Sequence, residues 1–207
     1  MNYYIDFDNT MFCTANLKPR MFDTITQGVL KQNSNLKKEH LLQECKAMFN
    51  RENIYDIYKL IKYFSKKYSI LEEPIICDLN YTILNSADLV FEDVIPFLKK
   101  LKENNHKLYI LSFAVENLYF QNIKIVGSGL IPYFDGVFTT STPKYELDID
   151  YTGGIFIDDN PKDLLGLYSK CPKQVIRMRK KESSYSIEEI KNVNIKEYSS
   201  FNEISII

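Results

Sequence analysis

Tyr3-Tyr4-Ile5-Asp6-Phe7-Asp8-Asn9-Thr10, close to the start of a 207-residue chain, is the stretch that decides the fold. Its apolar opening is too short for a helix and stops at a carboxylate, as a buried strand does when it reaches a sheet edge. Four more runs follow. Lys107 to Leu111 ends on Ser112, Gly136 to Phe138 on Thr139-Thr140, and Gly154 to Ile157 on Asp158-Asp159, while Gln174 to Met178 gives a fifth. Near-continuous apolar runs of this length fit parallel strands covered on both faces. Helical patterns such as Val94 to Leu101 lie between them, so the alternation predicts an α/β chain with a doubly wound parallel sheet.

Residues 14–87 interrupt the alternation. Met21, Phe22, Ile25 and Val29 form one helical stripe, and Leu41, Leu42, Cys45, Met48 and Phe49 a second. Ile54, Ile57, Tyr58, Ile61, Phe64 and Tyr68 form a third. The expected organisation is a core of residues 1–13 and 88–207, with a small helical domain of residues 14–87 inserted after the first strand.

Composition narrows the classes of function. Hydrophobic residues make up 45% and charged residues 26%, an ordinary globular balance. Lys plus Arg (26) nearly cancels Asp plus Glu (27), so the whole chain has no basic footprint for nucleic acid. The run Arg177 to Lys181 reads as a solvated edge after the last strand. No apolar stretch approaches the roughly 20 residues of a spanning helix, so no membrane partner is expected. The opening residues carry carboxylates and no basic group before them, unlike a secretory signal, which predicts a cytoplasmic protein. Cys13, Cys45, Cys77 and Cys171 are far apart with only two His in the chain, a poor set for structural zinc.

The strand ends carry the chemistry. Ligands of open α/β sheets bind beyond the carboxyl ends of the strands. Taken singly, Asp158-Asp159-Asn160-Pro161 is a turn with a helix cap, and Ser112 is a cap. Together, Asp6, Asp8, Asp158 and Asp159 would crowd carboxylates at one edge. Such crowding persists where a hard divalent cation offsets the repulsion, and Mg²⁺ takes a few carboxylate oxygens together with water and phosphate. Two carboxylates at i and i+2 can divide nucleophilic attack from proton handling.

These motifs resemble those of the haloacid dehalogenase superfamily, in its group of phosphohydrolases with an inserted helical cap. DFDNT (Asp6 to Thr10) is similar to its first motif, LYILS (Leu108 to Ser112) to its second, and FIDDNPKDL (Phe156 to Leu164) to its fourth, with Lys144 the candidate for the third. The resemblance covers essentially the whole chain and implies a Rossmann-like core. It implies that Asp6 attacks phosphorus to form an aspartyl phosphate, and that Asp8 protonates the leaving oxygen and then activates water. It also implies that Asp6, the Asp8 carbonyl and Asp159 hold Mg²⁺ with Asp158 nearby. Ser112 and Lys144 would bind the phosphoryl group, Thr10 would steady the loop, and Asp163 would orient the fourth motif or cap its helix. The expected activity is Mg²⁺-dependent hydrolysis of a small phosphorylated metabolite. Alternatives are a phosphosugar mutase of the same superfamily and a non-catalytic protein that binds a phosphate ligand. An Asp at position 8 favours a phosphatase over the dehalogenases, which lack an acid/base Asp there.

Two departures from the family pattern stand out. Only nine residues, Tyr145 to Gly153, separate Lys144 from the fourth strand, so the usual helix there shrinks to one turn or vanishes. Glu92-Asp93 replace the Pro-Gly with which many relatives begin the helix before the second motif. Substrate choice is expected to fall to cap residues, with Arg20, Arg51, Tyr55 and Lys59 as candidates.

Overall fold

In a computed structural model, which describes residues 1–51, 56–114, 117–191 and 193–206 (the side chains of Asn50 and Arg51 excepted), the first apolar run is strand β1, Asn2–Ile5. Its alternation sorts the two faces of a sheet. Tyr3 and Ile5 enter the large hydrophobic core, while Tyr4 faces the other way and stacks on Phe156 (4.7 Å between ring centroids) and Tyr109 (5.1 Å).

The chain continues through helices α1 (Thr14–Gln32), α2 (Lys38–Arg51), α3 (Ile57–Tyr68), α4 (Glu73–Leu84) and α5 (Val94–Glu103). Strand β2 (Lys107–Phe113), α6 (Leu118–Gly127), β3 (Gly136–Thr140), β4 (Ile155–Asp158), α7 (Pro161–Tyr168), β5 (Gln174–Met178) and β6 (Lys196–Tyr198) follow. All six described strands are parallel, in the order β3-β2-β1-β4-β5-β6. This is a Rossmann-like α/β sheet, and its order reverses between β1 and β4, where such sheets open a ligand crevice. Ile5 pairs with Ile157, and the Asp6 amide still bonds the Ile157 carbonyl at 2.8 Å, so Asp6 and Asp158 leave the sheet side by side.

Several expectations need correction. Residues 14–84 hold four described helices, not three stripes alone. Ile75, Leu79 and Ile83 bury one side of α4 at four-residue steps. Ile54 lies outside the described residues. The third strand is not covered on both faces: β3 is an edge, and Val137 and Phe138 are each 38% exposed. Strand β6, at the opposite edge, has no apolar run to announce it. The basic run that begins inside β5 is only partly a solvated edge: Lys181 is exposed, but two of its charges are buried. Arg177 is fully buried, donating to Glu197 (2.9 Å) and the Tyr185 carbonyl (2.7 Å), and Lys180 is buried against Asp93 at 2.6 Å.

Apolar residues of α1 to α4 belong to the same continuous core as β1, β2 and α5. At one point the helices meet backbone to backbone. A Cβ added to Gly127 in α6 would sit 2.1 Å from the Ile83 carbonyl oxygen of α4, so glycine is what permits the approach. No described helix is long and apolar enough to cross a membrane.

Candidate active site

Beyond Ile5 the chain turns sharply, with the amides of Met11 and Phe12 both bonding the Phe7 carbonyl. Asn9 adopts φ +56°, a left-handed conformation that Asn tolerates better than most residues. Beyond β4, Asn160 accepts the Lys162 amide at 3.0 Å and caps α7, with Pro161 in its first turn. One Asp158 oxygen accepts the Asn160 amide at 2.9 Å and shapes that turn; the other faces Lys144.

Lys144 sits in a single 3-10 turn, Lys144–Glu146, so the short connection replaces the usual helix with one turn. The Tyr151 hydroxyl clamps that turn by bonding the Lys144 carbonyl at 2.6 Å. The buried ammonium donates to Asp6 at 2.6 Å and Asp158 at 2.7 Å, and stands 3.9 Å from Asp163. One oxygen each from Asp6, Asp158 and Asp159 lie within 4.8 Å of one another. Ser183, from the loop after β5, donates to Asp159.

Charge within this group is unbalanced. Burial raises the Asp6 carboxyl well above its ordinary range; Lys144 opposes the rise, and Asp158, Asp159 and Asp8 add to it. Burial also pushes Asp159 up, to about 7, with Asp158 adding and Ser183 and Lys144 opposing. Burial would lower Lys144, but Asp158, Asp6 and Asp163 outweigh it and hold the ammonium charged. One lysine cannot neutralise Asp6, Asp158, Asp159 and Asp163. A donor set of closely spaced hard oxygens with excess negative charge fits a divalent cation such as Mg²⁺.

Asp8 is held differently. Burial would raise it, but Lys124 at 2.5 Å, Thr14 and Gln121 at 2.6 Å together lower it, so Asp8 is ionised and its two oxygens are engaged. Gln121 also donates to the buried Ser112 hydroxyl at 2.7 Å. Lys124 and Gln121 come from one face of α6, three residues apart.

A cavity of about 260 Å³ opens over these groups, lined by Asp6, Asp8, Asn9, Phe113, Lys144, Asp159, Asn160, Asp163, Ser184 and Tyr185. Ser112 and Thr10 are fully buried and are not on its wall, and the Thr10 hydroxyl has no hydrogen-bond partner among the described residues. Asp163 points toward Lys144 and leaves the capping of α7 to Asn160. Arg20 is on the surface, bonded to Asp88, and Lys59 is exposed. The Arg51 side chain and Tyr55 lie outside the described residues.

Gln121, Lys124, Ser183 and Tyr185 were not foreseen. The first two carried a signal, a Gln and a Lys at helical spacing directly after a motif strand. Ser183 and Tyr185 sit in an irregular loop, and no local pattern marks them.

The fold, with β1 and β4 meeting at the reversal of strand order, is the one seen in solved haloacid dehalogenase-like structures. No protein-family model matches the chain, and no curated protein matches it. Solved structures do. A haloacid dehalogenase-like hydrolase from Burkholderia xenovorans is 15% identical over 97% of this chain and 93% of that one, with a TM-score of 0.66. A HAD phosphatase from Thermococcus onnurineus is 17% identical over 98% and 94%, with a TM-score of 0.61. A HAD hydrolase from Bacillus subtilis, solved with magnesium bound, is 13% identical over 98% and 95%, with a TM-score of 0.55. Dehalogenases share the fold too.

Proposed function

We propose that the protein is a Mg²⁺-dependent phosphomonoester hydrolase that works on a small phosphorylated metabolite through an aspartyl phosphate on Asp6. The observation that carries this is the convergence of Asp6, Asp158, Asp159 and Lys144 at the ends of the two central strands, with Asp8 two residues beyond the nucleophile.

Asp6, the Asp8 carbonyl, Asp159 and Asp158 would hold the metal, which supplies charge neutralisation for the phosphoryl oxygens. Asp6 supplies the attacking oxygen, and its bond to phosphorus forms as the ester P–O bond breaks. The leaving oxygen takes a proton from Asp8. Water then attacks phosphorus, the Asp6–phosphorus bond breaks, and the water proton returns to Asp8. As held here, Asp8 is the acceptor that the second step needs. To serve the first it must take up a proton and leave Lys124. Lys144 keeps Asp6 in place and adds positive charge where phosphoryl oxygens gather. Ser112 becomes a phosphoryl ligand only if Gln121 turns away.

The helical segment 14–87 would act as a cap, closing over the site and excluding water. The dehalogenases with this fold suggest a second reading, hydrolysis of a carbon–halogen bond. Asp8 argues against it, because a halide leaving group needs no proton. Phosphate release from an aryl phosphate, abolished in Asp6→Asn and by chelation, is the test. Turnover that survives Asp6→Asn would overturn the nucleophile assignment.

A further inference from the structure

Past Asp8 the site continues into a second cavity of about 170 Å³, and Asp8 and Phe113 are walls of both. The first cavity is built from carboxylates and an ammonium. The second changes character: Met21 of α1, Phe49 of α2, Ile57 of α3, Phe113 at the end of β2 and Phe120 of α6 line it. Thr14, Asn117 and Gln121 also line it, but each is already bonded, to Asp8, to the Phe120 amide and to Asp8 respectively. Hydroxyl groups entering there therefore lose water with few free partners, and a polyol is penalised. Volume sets a second limit. An apolar cavity of about 150 Å³ takes up benzene, so this one suits a single ring or a chain of similar bulk.

Lys18 gives the third constraint. It lies on the same wall, half-buried, its ammonium 4.0 Å from the centroid of the Phe49 ring. Burial lowers its pKa, and no carboxylate among the described residues pairs with it. The cavity's other ammonium, Lys124, is taken by Asp8. A partly desolvated cation whose only close partner among the described residues is an aromatic face has unused capacity for an anion.

We infer that this cavity is the leaving-group subsite of the proposed hydrolase, and that it selects a compact, mainly apolar ring-sized group bearing a carboxylate that Lys18 meets. The inference rests on the phosphomonoesterase reading for its direction: phosphoryl group at Asp6, remainder past Asp8. The substrate class is then an anionic aryl-type phosphomonoester, and sugar phosphates are disfavoured.

The test uses the whole protein with Mg²⁺ and two readouts. Phosphate release is measured on 4-carboxyphenyl phosphate, phenyl phosphate and glucose 6-phosphate. Calorimetric binding is measured with the non-hydrolysable 4-carboxyphenyl and phenyl phosphonates. The carboxylated compounds should be preferred by at least about tenfold in kcat/KM and in affinity, the scale of one charge-assisted contact. Phenyl phosphate should exceed glucose 6-phosphate. Lys18→Met should erase the carboxylate preference, and Lys18→Arg should keep it. Equal handling of carboxylated and plain compounds, or a preference that survives Lys18→Met, overturns the inference. Phosphonates that discriminate without any phosphate release would leave the subsite standing and remove the hydrolase reading. Phosphate release without discrimination would do the reverse.

Discussion

The Lys124 ammonium lies 2.5 Å from the carboxylate of Asp8, joining α6 to the loop that follows the first strand. Burial alone would push Asp8 toward its neutral form; Lys124 is the strongest of the contacts that reverse this. The residue proposed to pass protons is therefore held ionised, and its geometry depends on a helix more than a hundred residues away in the chain.

Lys124→Met removes that contact and leaves Asp8 with Thr14 and Gln121 only. General acid–base groups contribute about 10²- to 10⁴-fold, so misplacing one should lower kcat by about 10²-fold. Steady-state kinetics on an aryl phosphate checks this. A kcat within about twofold of wild type would show that Asp8 works without Lys124.

With Asp159 raised to about 7, the proposed metal site should bind Mg²⁺ in a pH-dependent way. Its folded pKa lies above its unfolded one, so the neutral form persists up to near pH 7, and binding a cation there must expel a proton. Mg²⁺ affinity should rise with pH by at least about tenfold per unit below 7, since Asp6, raised by burial as well, must also give up its proton. Calorimetry in buffers of different ionisation enthalpy would show the released proton; a flat affinity from pH 6 to 8 would contradict this.

Lys180→Met strands a buried carboxylate. Asp93, at the start of α5, accepts from Lys180 (2.6 Å), the Ser200 hydroxyl (2.7 Å) and the Phe201 amide (2.8 Å), and these together overcome burial and lower it. Breaking one partner of a buried pair costs about 3–5 kcal/mol. Because the folded pKa is depressed, the stabilisation is present at neutral pH and lost as pH falls through the folded value. The gap between wild type and variant should therefore be full at pH 7, narrow as the variant's Asp93 protonates, and close below about pH 4, where the wild-type Asp93 protonates too. Urea unfolding at several pH values measures it.

Gly127→Ala should destabilise by about 1–3 kcal/mol, the usual penalty for forcing packed backbones apart. The new methyl would meet the Ile83 carbonyl oxygen at 2.1 Å and the Leu84 Cα at 2.8 Å. Since α6 also carries Gln121 and Lys124, activity should fall together with stability. Unchanged denaturation midpoints would mean that α4 and α6 separate freely.

Much of this architecture is legible in the sequence, for physical reasons. Central parallel strands are buried on both faces, so Tyr3 to Ile5 and Ile155 to Ile157 announced themselves as apolar runs ending in acid. Edge strands escape that rule, which is why β6 was missed and the exposure of β3 misjudged. The Asp6, Asp158 and Asp159 grouping was readable because each follows a recognisable strand. The basic run at Arg177 misled because charge suggests solvent, whereas its partners, Glu197, the Tyr185 carbonyl and Asp93, come from sequence that gave no hint of them. Lys124 and Gln121 were visible as a helical pair, but only folding shows that their face turns toward Asp8.

The most direct measurement is calorimetric titration of Mg²⁺ at pH 7.5 into the wild-type protein and into Asp159→Asn and Asp6→Asn. One site should appear in the wild type, with affinity weakened at least about tenfold in each variant while thermal unfolding of the metal-free proteins stays cooperative. Equal Mg²⁺ binding by all three, or none by the wild type, would contradict the claim that these carboxylates gather around one ion.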